Sequence, residues 1–402
     1  MSLRARLSAA VACITLSVLL SRATVSVAGE LATNTKLIPL PIYATLPNEG
    51  DTFGFMPVFL TVENVSGRTR SIVAPSLSWN RIIRFTHTFR FYYYPSDDET
   101  INLIPSFSTN VNRGLTFEYF RAPRTAPAVT IDGTLHARRS IFYRFFGLGP
   151  ESKAGDETSY TRVGGDLGGR LGYNLLPTLN VGVLATLERD LVERRAVDFL
   201  PLTNDHFPGA PGLGGATTLF TGASLRLDTR PKRQYSSDGL ASEAQAGIVQ
   251  GFSGAPAFGR FSWEGKALFA ENSLMSGGAR AFWGYSGGRN IPFYLQSSLG
   301  GSYFLRGFTE DRFIDKGAWE LELEQRIKVF KTTIYGVLTD WRIDPFIAVG
   351  QVYSRAGDMF RHVRVTGGLG FRAFVHPNVL GRVDTAVGGE GVKVYVELGY
   401  PF

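Results

Sequence analysis

The chain has 402 residues, with 42 Lys and Arg against 35 Asp and Glu, a formal charge of +7, and one cysteine, Cys13. So small an excess gives no footing for nucleic acid, whose binding proteins concentrate Lys and Arg on one face, and a single cysteine excludes a disulfide scaffold. The 30 Phe, 16 Tyr and 46 Gly point to a membrane barrel, since aromatics anchor at membrane interfaces and glycines fit crowded strands and turns.

Arg4 and Arg6 precede an apolar run from Leu7 to Leu20, and Ser26-Val27-Ala28 offers small residues for cleavage before Gly29. Residues 1–28 therefore read as a secretory signal peptide, whose removal takes Cys13 and, with Arg4, Arg6 and Arg22, lowers the charge from +7 to +4. The apolar run is too short to span a bilayer as a helix, and no later stretch approaches ~18 uninterrupted apolar residues. Residues 29–50 carry Pro39, Pro41 and Pro47, which break long strands, so this stretch reads as a short periplasmic lead-in.

From Asp51 the pattern alternates with period two, with Phe53, Phe55 and Phe59 on one face. After a turn at 65–68 and a segment at 69–80, the residues Ile83, Phe85, Phe89, Phe91 and Tyr93 oppose Arg84, Thr86, Thr88 and Arg90. Further extended segments are expected at 101–110, 114–122 and 129–146. A polar loop at 147–157 leads to a strand with Val163, Leu167, Leu171 and Tyr173 against Tyr160, Arg162, Asp166 and Arg170. The connection 174–177 is short, whereas 192–215 is long and holds Pro201, Pro208 and Pro211. Such a mixture fits a barrel with long loops on one rim and short turns on the other.

Segments at 219–228, 240–252, 258–271 and 278–285 then lead to Gly300-Gly301-Ser302-Tyr303-Phe304-Leu305-Arg306-Gly307-Phe308. The glycine pair permits positive φ and close backbone approach, and an arginine set among Phe304, Leu305 and Phe308 must reach water or find a carboxylate. Next, Trp319, Leu321, Leu323, Ile327 and Val329 share one face of a strand whose other face carries Glu320, Glu322, Glu324, Arg326 and Lys328. Segments at 344–353, 362–376 and 379–387 follow. The last segment, 392–402, aligns Val394, Val396, Leu398, Tyr400 and Phe402 on one face. With a terminal aromatic, the set Val396, Leu398, Tyr400 and Phe402 reads as an outer-membrane assembly signal.

The count is about sixteen segments, each the length of a transmembrane strand of ~10 residues. Charge recurring on the non-oily face calls for a wet lumen, where a sandwich would need an apolar core. The expected fold is all-β: a transmembrane antiparallel barrel of about 16 strands over residues 51–402. His87, His136, His206, His362 and His376 lack metal-ligand spacing. Gly164-Gly165 and Gly168-Gly169 lie in an alternating strand and form no phosphate loop. No catalytic residue, cofactor or metal is expected, and the chain does not read as an enzyme.

The chain resembles the BamA/TamA superfamily of outer-membrane barrels, the bacterial surface antigen family, over most of its mature length. The resemblance rests on Gly300-Gly301 with Leu305-Arg306-Gly307-Phe308, the Glu324-Gln325-Arg326 strand, the turn from Asp228-Thr229-Arg230 to Gly239, and the aromatic C-terminus. Phe145-Phe146-Gly147-Leu148-Gly149 is a weaker common feature. The resemblance implies a sixteen-stranded barrel with the Arg-Gly loop in its lumen and Arg306 held by carboxylates, first Glu324, with Glu322 one strand step away. It usually places an Asp where this chain has Ala348, so Asp344 is the expected substitute. The implied role is assistance to protein or lipid insertion or translocation, in a member without periplasmic polypeptide-transport domains. The alternative is a surface-exposed structural or pore-forming barrel. Expected partners are outer-membrane lipid, the barrel assembly machinery during biogenesis, and a separate periplasmic or exported client protein.

Overall fold

Strict alternation gives each strand one oily and one polar face, and such strands can bury neither face until they close on one another. The computed structural model, which describes residues 33–231, 236, 238–334, 337–375 and 379–398, shows how they close. The signal-peptide residues 1–28, and Tyr400 and Phe402 of the assembly signal, lie outside these residues.

The strands, in chain order, are β1 (Thr33–Leu46), β2 (Gly50–Glu63), β3 (Thr69–Asn80), β4 (Arg84–Ser96), β5 (Glu99–Ser108), β6 (Arg113–Arg121) and β7 (Ala128–Phe145). Then come β8 (Thr158–Leu176), β9 (Leu179–Glu193), β10 (Ala216–Asp228), β11 (Gly239–Ser253), β12 (Phe258–Ala270) and β13 (Met275–Gly287). The chain finishes with β14 (Ser297–Leu299), β15 (Phe313–Asp315), β16 (Gly317–Ile334), β17 (Val337–Tyr353), β18 (Arg364–Val375), β19 (Val379–Gly388) and β20 (Gly391–Leu398). β14 and β15 form a separate ribbon, and the other eighteen make one antiparallel sheet in which each strand pairs with its chain neighbours. The sheet closes where β20 meets β1, at Thr45↔Val396.

The barrel therefore has 18 strands, not about sixteen. β9 is missed because it follows β8 through a two-residue connection. β1 is missed because Pro39 and Pro41 argue against a strand, yet this stretch of the expected lead-in pairs with β2 over its whole length, from Thr33↔Glu63 to Leu46↔Gly50. Pro39 lies opposite Pro57 and Pro41 opposite Phe55 without interrupting that ladder, since a strand residue directs its N–H to one neighbour only.

The sheet's two faces separate cleanly on β16. Leu321 and Leu323 are 43% and 49% exposed on the outer wall, while Glu320, Glu322 and Glu324 are buried on the inner one. The three longest connections, 146–157, 194–215 and 288–316, share one rim. That rim is the external one, since barrels of this kind keep their short turns on the periplasmic side.

Candidate functional site

The 288–316 connection leaves the external rim and turns into the lumen. Gly300 and Gly301 make the turn with φ of +113° and +114°. A Cβ at position 300 would stand 2.3 Å from the Thr309 carbonyl oxygen, so only glycine fits there. The Gly301 N–H closes the loop by donating to the Phe308 carbonyl at 3.1 Å. This brings the loop's apex, Leu305-Arg306-Gly307, to the inner wall.

At the wall, an always-charged guanidinium out of water needs counter-charge. One terminal nitrogen of Arg306 lies 2.6 Å from a Glu322 carboxylate oxygen and 3.3 Å from Glu324, and the other lies 3.2 Å from Asp384 on β19. The guanidinium carbon sits 3.4 Å over the ring centroid of Phe346. Glu322 is thus the nearest partner, ahead of Glu324. Asp344, expected as a third partner, instead faces Arg372 at 3.2 Å. Asp384 takes the place expected for it because β19, not β17, carries a carboxylate to the apex.

The ions around the apex form a network. Arg280 reaches Glu320 and Glu322 at 2.9 and 3.3 Å, Arg326 reaches Glu324 at 2.9 Å, and Arg372 reaches Asp384 at 2.6 Å. Arg382 binds Asp384 at 2.7 Å and also pairs with Glu397. Arg280, Arg306, Arg326, Arg372 and Arg382 thus face Glu320, Glu322, Glu324, Asp344, Asp384 and Glu397, so charge is nearly balanced across the contact.

The loop's backbone is held as well. Arg280 donates to the Tyr303 carbonyl, Arg382 donates to that of Ser302 at 3.1 Å, and the Leu305 N–H donates to Glu320. Tyr395 of β20 accepts from the Gly307 N–H at 3.0 Å and donates to the Phe308 carbonyl at 2.6 Å. Sequence reading passed over Tyr395; its signal was an aromatic on the inward face, between Val394 and Val396. Tyr395→Phe should strand the Gly307 N–H, while the Phe308 carbonyl keeps the Gly301 N–H, and cost about 1–3 kcal/mol, read as a lower temperature for loss of the folded gel band. An unchanged temperature would show that water or another group replaces the hydroxyl.

Ala348, where a carboxylate was expected, lies in an apolar cluster with Leu299, Leu305, Phe308, Phe313, Ala318 and Val352. A carboxylate there would be desolvated among side chains that cannot solvate it. Toward the external rim, Arg312 binds Glu390 at 2.7 Å and lies 4.7 Å over the Phe146 ring, and Gly149 N–H donates to Ile314 at 2.8 Å. The Phe145 to Gly149 run therefore docks against the loop. The turn at Asp228 and Arg230 lies at the opposite rim, where Arg230 binds Asp228 at 2.9 Å. The remaining assembly-signal positions, Val396 and Leu398, lie on β20 at the seam.

The seam is where the first and last strands meet. β1 and β20 share the pair Thr45↔Val396, and the described residues of β20 end two positions beyond it, at Leu398. Next to the seam, the β1–β2 turn is tied inward: Arg144 of β7 donates to the Asn48 carbonyl at 2.6 Å. Beside it, burial pushes the Glu49 carboxyl up to about 7, with Glu397 adding repulsion and Arg144 opposing it. A carboxyl whose folded pKa is raised favours the fold while protonated, so its contribution is lost as pH rises from its ordinary value of 4.5 through about 7. Hydrogen exchange of residues 44–52 should therefore be slower at pH 5 than at pH 8 after correction for intrinsic rates. Equal corrected rates would count against a buried Glu49.

A closed antiparallel sheet with an oily outer wall and a charged lumen is an integral outer-membrane β-barrel, and among the described residues no helix is long and apolar enough to cross a membrane. A family model, the Omp85 superfamily domain, matches residues 75–373, and the chain belongs to that superfamily and to the bacterial outer membrane. Two solved structures share the fold. BamA from Haemophilus ducreyi lacking POTRA domains 1–3 matches with a TM-score of 0.56 and 12% identity, covering 95% of this chain and 77% of that one. CdiB from Escherichia coli matches with a TM-score of 0.51 and 12% identity, covering 92% of this chain and 63% of that one. A search of curated proteins by sequence gave no match.

Proposed function

We propose that this barrel assists the insertion or translocation of a polypeptide or lipid at the outer membrane, with the client engaging the seam between β1 and β20. The observation that carries the reading is where the sheet closes: the first and last strands meet at Thr45↔Val396, and Tyr395 beside that pair holds the Arg306 loop. An edge with free N–H and C=O groups is a template for another strand, and in a bilayer such groups have no water to satisfy them. The Arg306 loop packs against the inner wall beside the seam, which supports a lateral passage over an axial one.

The test is a cysteine pair at Thr45 and Val396, in proteoliposomes. Folding of a small outer-membrane barrel client and transbilayer movement of a labelled phospholipid are each measured before and after reduction. The reduced protein should accelerate at least one, and the cross-linked protein neither. If neither process is accelerated, or if cross-linking changes nothing, the reading fails. The barrel's own assembly is expected to depend on its last strand, so deleting Phe402 should lower the outer-membrane fraction and raise periplasmic degradation. Unchanged yield and heat-modifiable mobility would remove the terminal aromatic from that role.

A further inference from the structure

Prolines from four of the first five strands stand in one lateral row. Pro39 of β1 lies opposite Pro57 of β2, in an unbroken ladder. The β2–β3 register carries Pro57 on to Pro75, the β3–β4 ladder sets Pro75 opposite Phe89, and the β4–β5 register carries Phe89 on to Pro105. The row therefore reads Pro39, Pro57, Pro75, Phe89, Pro105, one residue per strand. By parity it lies on the face of Phe55 and Leu77, which are 51% and 55% exposed, with Phe89 itself buried within the row.

In an antiparallel ladder each residue directs its N–H and C=O to one neighbour, and the next residue directs them to the other. A proline therefore removes a bond on one side only. The β1–β2, β3–β4 and β5–β6 ladders run through the row without a break. The β2–β3 ladder stops at Phe55↔Leu77 and resumes at Phe59↔Val73, leaving residues 56–58 opposite 74–76 unpaired. The β4–β5 ladder likewise skips from Thr88↔Ser106 to Phe91↔Leu103. Pro57 and Pro75 are turned toward each other with no N–H between them, and Pro105 has none to give Phe89.

A second observation comes from the inner face behind the row. Where β8 and β9, or β18 and β19, line the lumen with ion pairs, here Ile38, Met56, Val58, Leu60, Ile72 and Ala74 form a buried apolar cluster. The inner side chains of β1 to β3 pack on one another, so these strands hold together by side-chain contact where their backbone ladder is open. Packing of this kind survives a change of angle that directional hydrogen bonds do not.

We infer that the proline row is a transverse crease about which the periplasmic halves of β1 to β5 bend as one panel. The registered seam pair, Thr45↔Val396, lies on the external side of the crease, since Thr45 is beyond Pro39 toward the β1–β2 turn. Bending thus swings residues 33–38 of β1 outward while the external end of the seam stays joined. The crease deepens the seam reading and rests on it for its purpose, but its mobility stands without any client.

The test is hydrogen exchange of the full mature chain in proteoliposomes of phosphatidylcholine, with no client added. The amides of Phe59 and Val73, the first to face each other across β2–β3 beside the gap, should exchange roughly ten-fold faster than those at 167–171 and 183–187, where the β8–β9 ladder is continuous. Pro57→Val with Pro75→Val restores two N–H groups and should slow the first set to the rate of the second, with heat-modifiable mobility confirming the fold. Equal rates in the unaltered protein would overturn the crease, and that comparison decides even if the variant does not fold. A folded variant that exchanges as fast as the parent would also overturn it. Because exchange is read apart from insertion or lipid movement, a failed crease is distinguishable from a failed seam.

Discussion

Arg306→Ala is expected to lower the temperature at which the folded gel band is lost and to open the loop to proteinase K. The guanidinium and its partners Glu322, Glu324 and Asp384 have no exposed side-chain surface, so its removal leaves carboxylates out of water with reduced counter-charge. Breaking a buried pair from one side costs about 3–5 kcal/mol, whereas an exposed pair contributes about 0–1. Each of the three carboxylates retains another arginine, namely Arg280, Arg326 or Arg372 at Glu322, Glu324 and Asp384 respectively, which places the effect toward the lower end of that range. Arg306→Lys keeps the charge but loses the planar fork that spans Glu322 and Asp384, and should rescue in part. The deciding experiment is a cycle with Glu322→Ala. The double variant should be little worse than the more damaging single one, because removing one partner removes most of the need for the other. Strict additivity would mean that the two do not interact.

The faces of the strands were legible in the sequence because the side-chain period of a strand is two, and parity alone puts Glu320, Glu322 and Glu324 opposite Trp319, Leu321 and Leu323. The ordering of partners around Arg306 was not legible. It depends on lateral register across β16 to β20, and register is set between strands rather than along them. Asp384 lies far from Arg306 in sequence and reaches it only because β19 comes round the wall, while Asp344, nearer in sequence, is taken by Arg372. β1 stayed hidden for a different reason. Its prolines argue against a strand by local rules, and they are accommodated because neither interrupts the β1–β2 ladder. The same local rule that hid the strand marks the crease. Ala348 shows the opposite case, where a family habit predicted a charge and the packing of Leu305 and Phe308 explains an alanine.

Deleting residues 301–309 is expected to turn a closed lumen into a conducting one. The loop removes cross-section from the lumen by placing Leu305, Arg306 and Phe308, all buried, against the wall formed by β13 and β16 to β20. With the loop gone, Arg306 is lost while Glu320, Glu322, Glu324, Asp344, Asp384 and Glu397 remain, six carboxylates facing the five arginines Arg280, Arg326, Arg342, Arg372 and Arg382. The wall then carries a net negative charge in a confined space, where it attracts cations and repels anions. Planar-bilayer recordings of the deletion variant should therefore show larger unit conductance than the parent and a reversal potential shifted toward the cation. The selectivity should weaken as salt is raised, because screening shortens the reach of the wall charge. Large stable openings in the unaltered protein would show that the loop does not block the lumen and would favour a pore. A deletion variant that folds but conducts no better would move the constriction elsewhere, to the inward-packed strands behind the proline row.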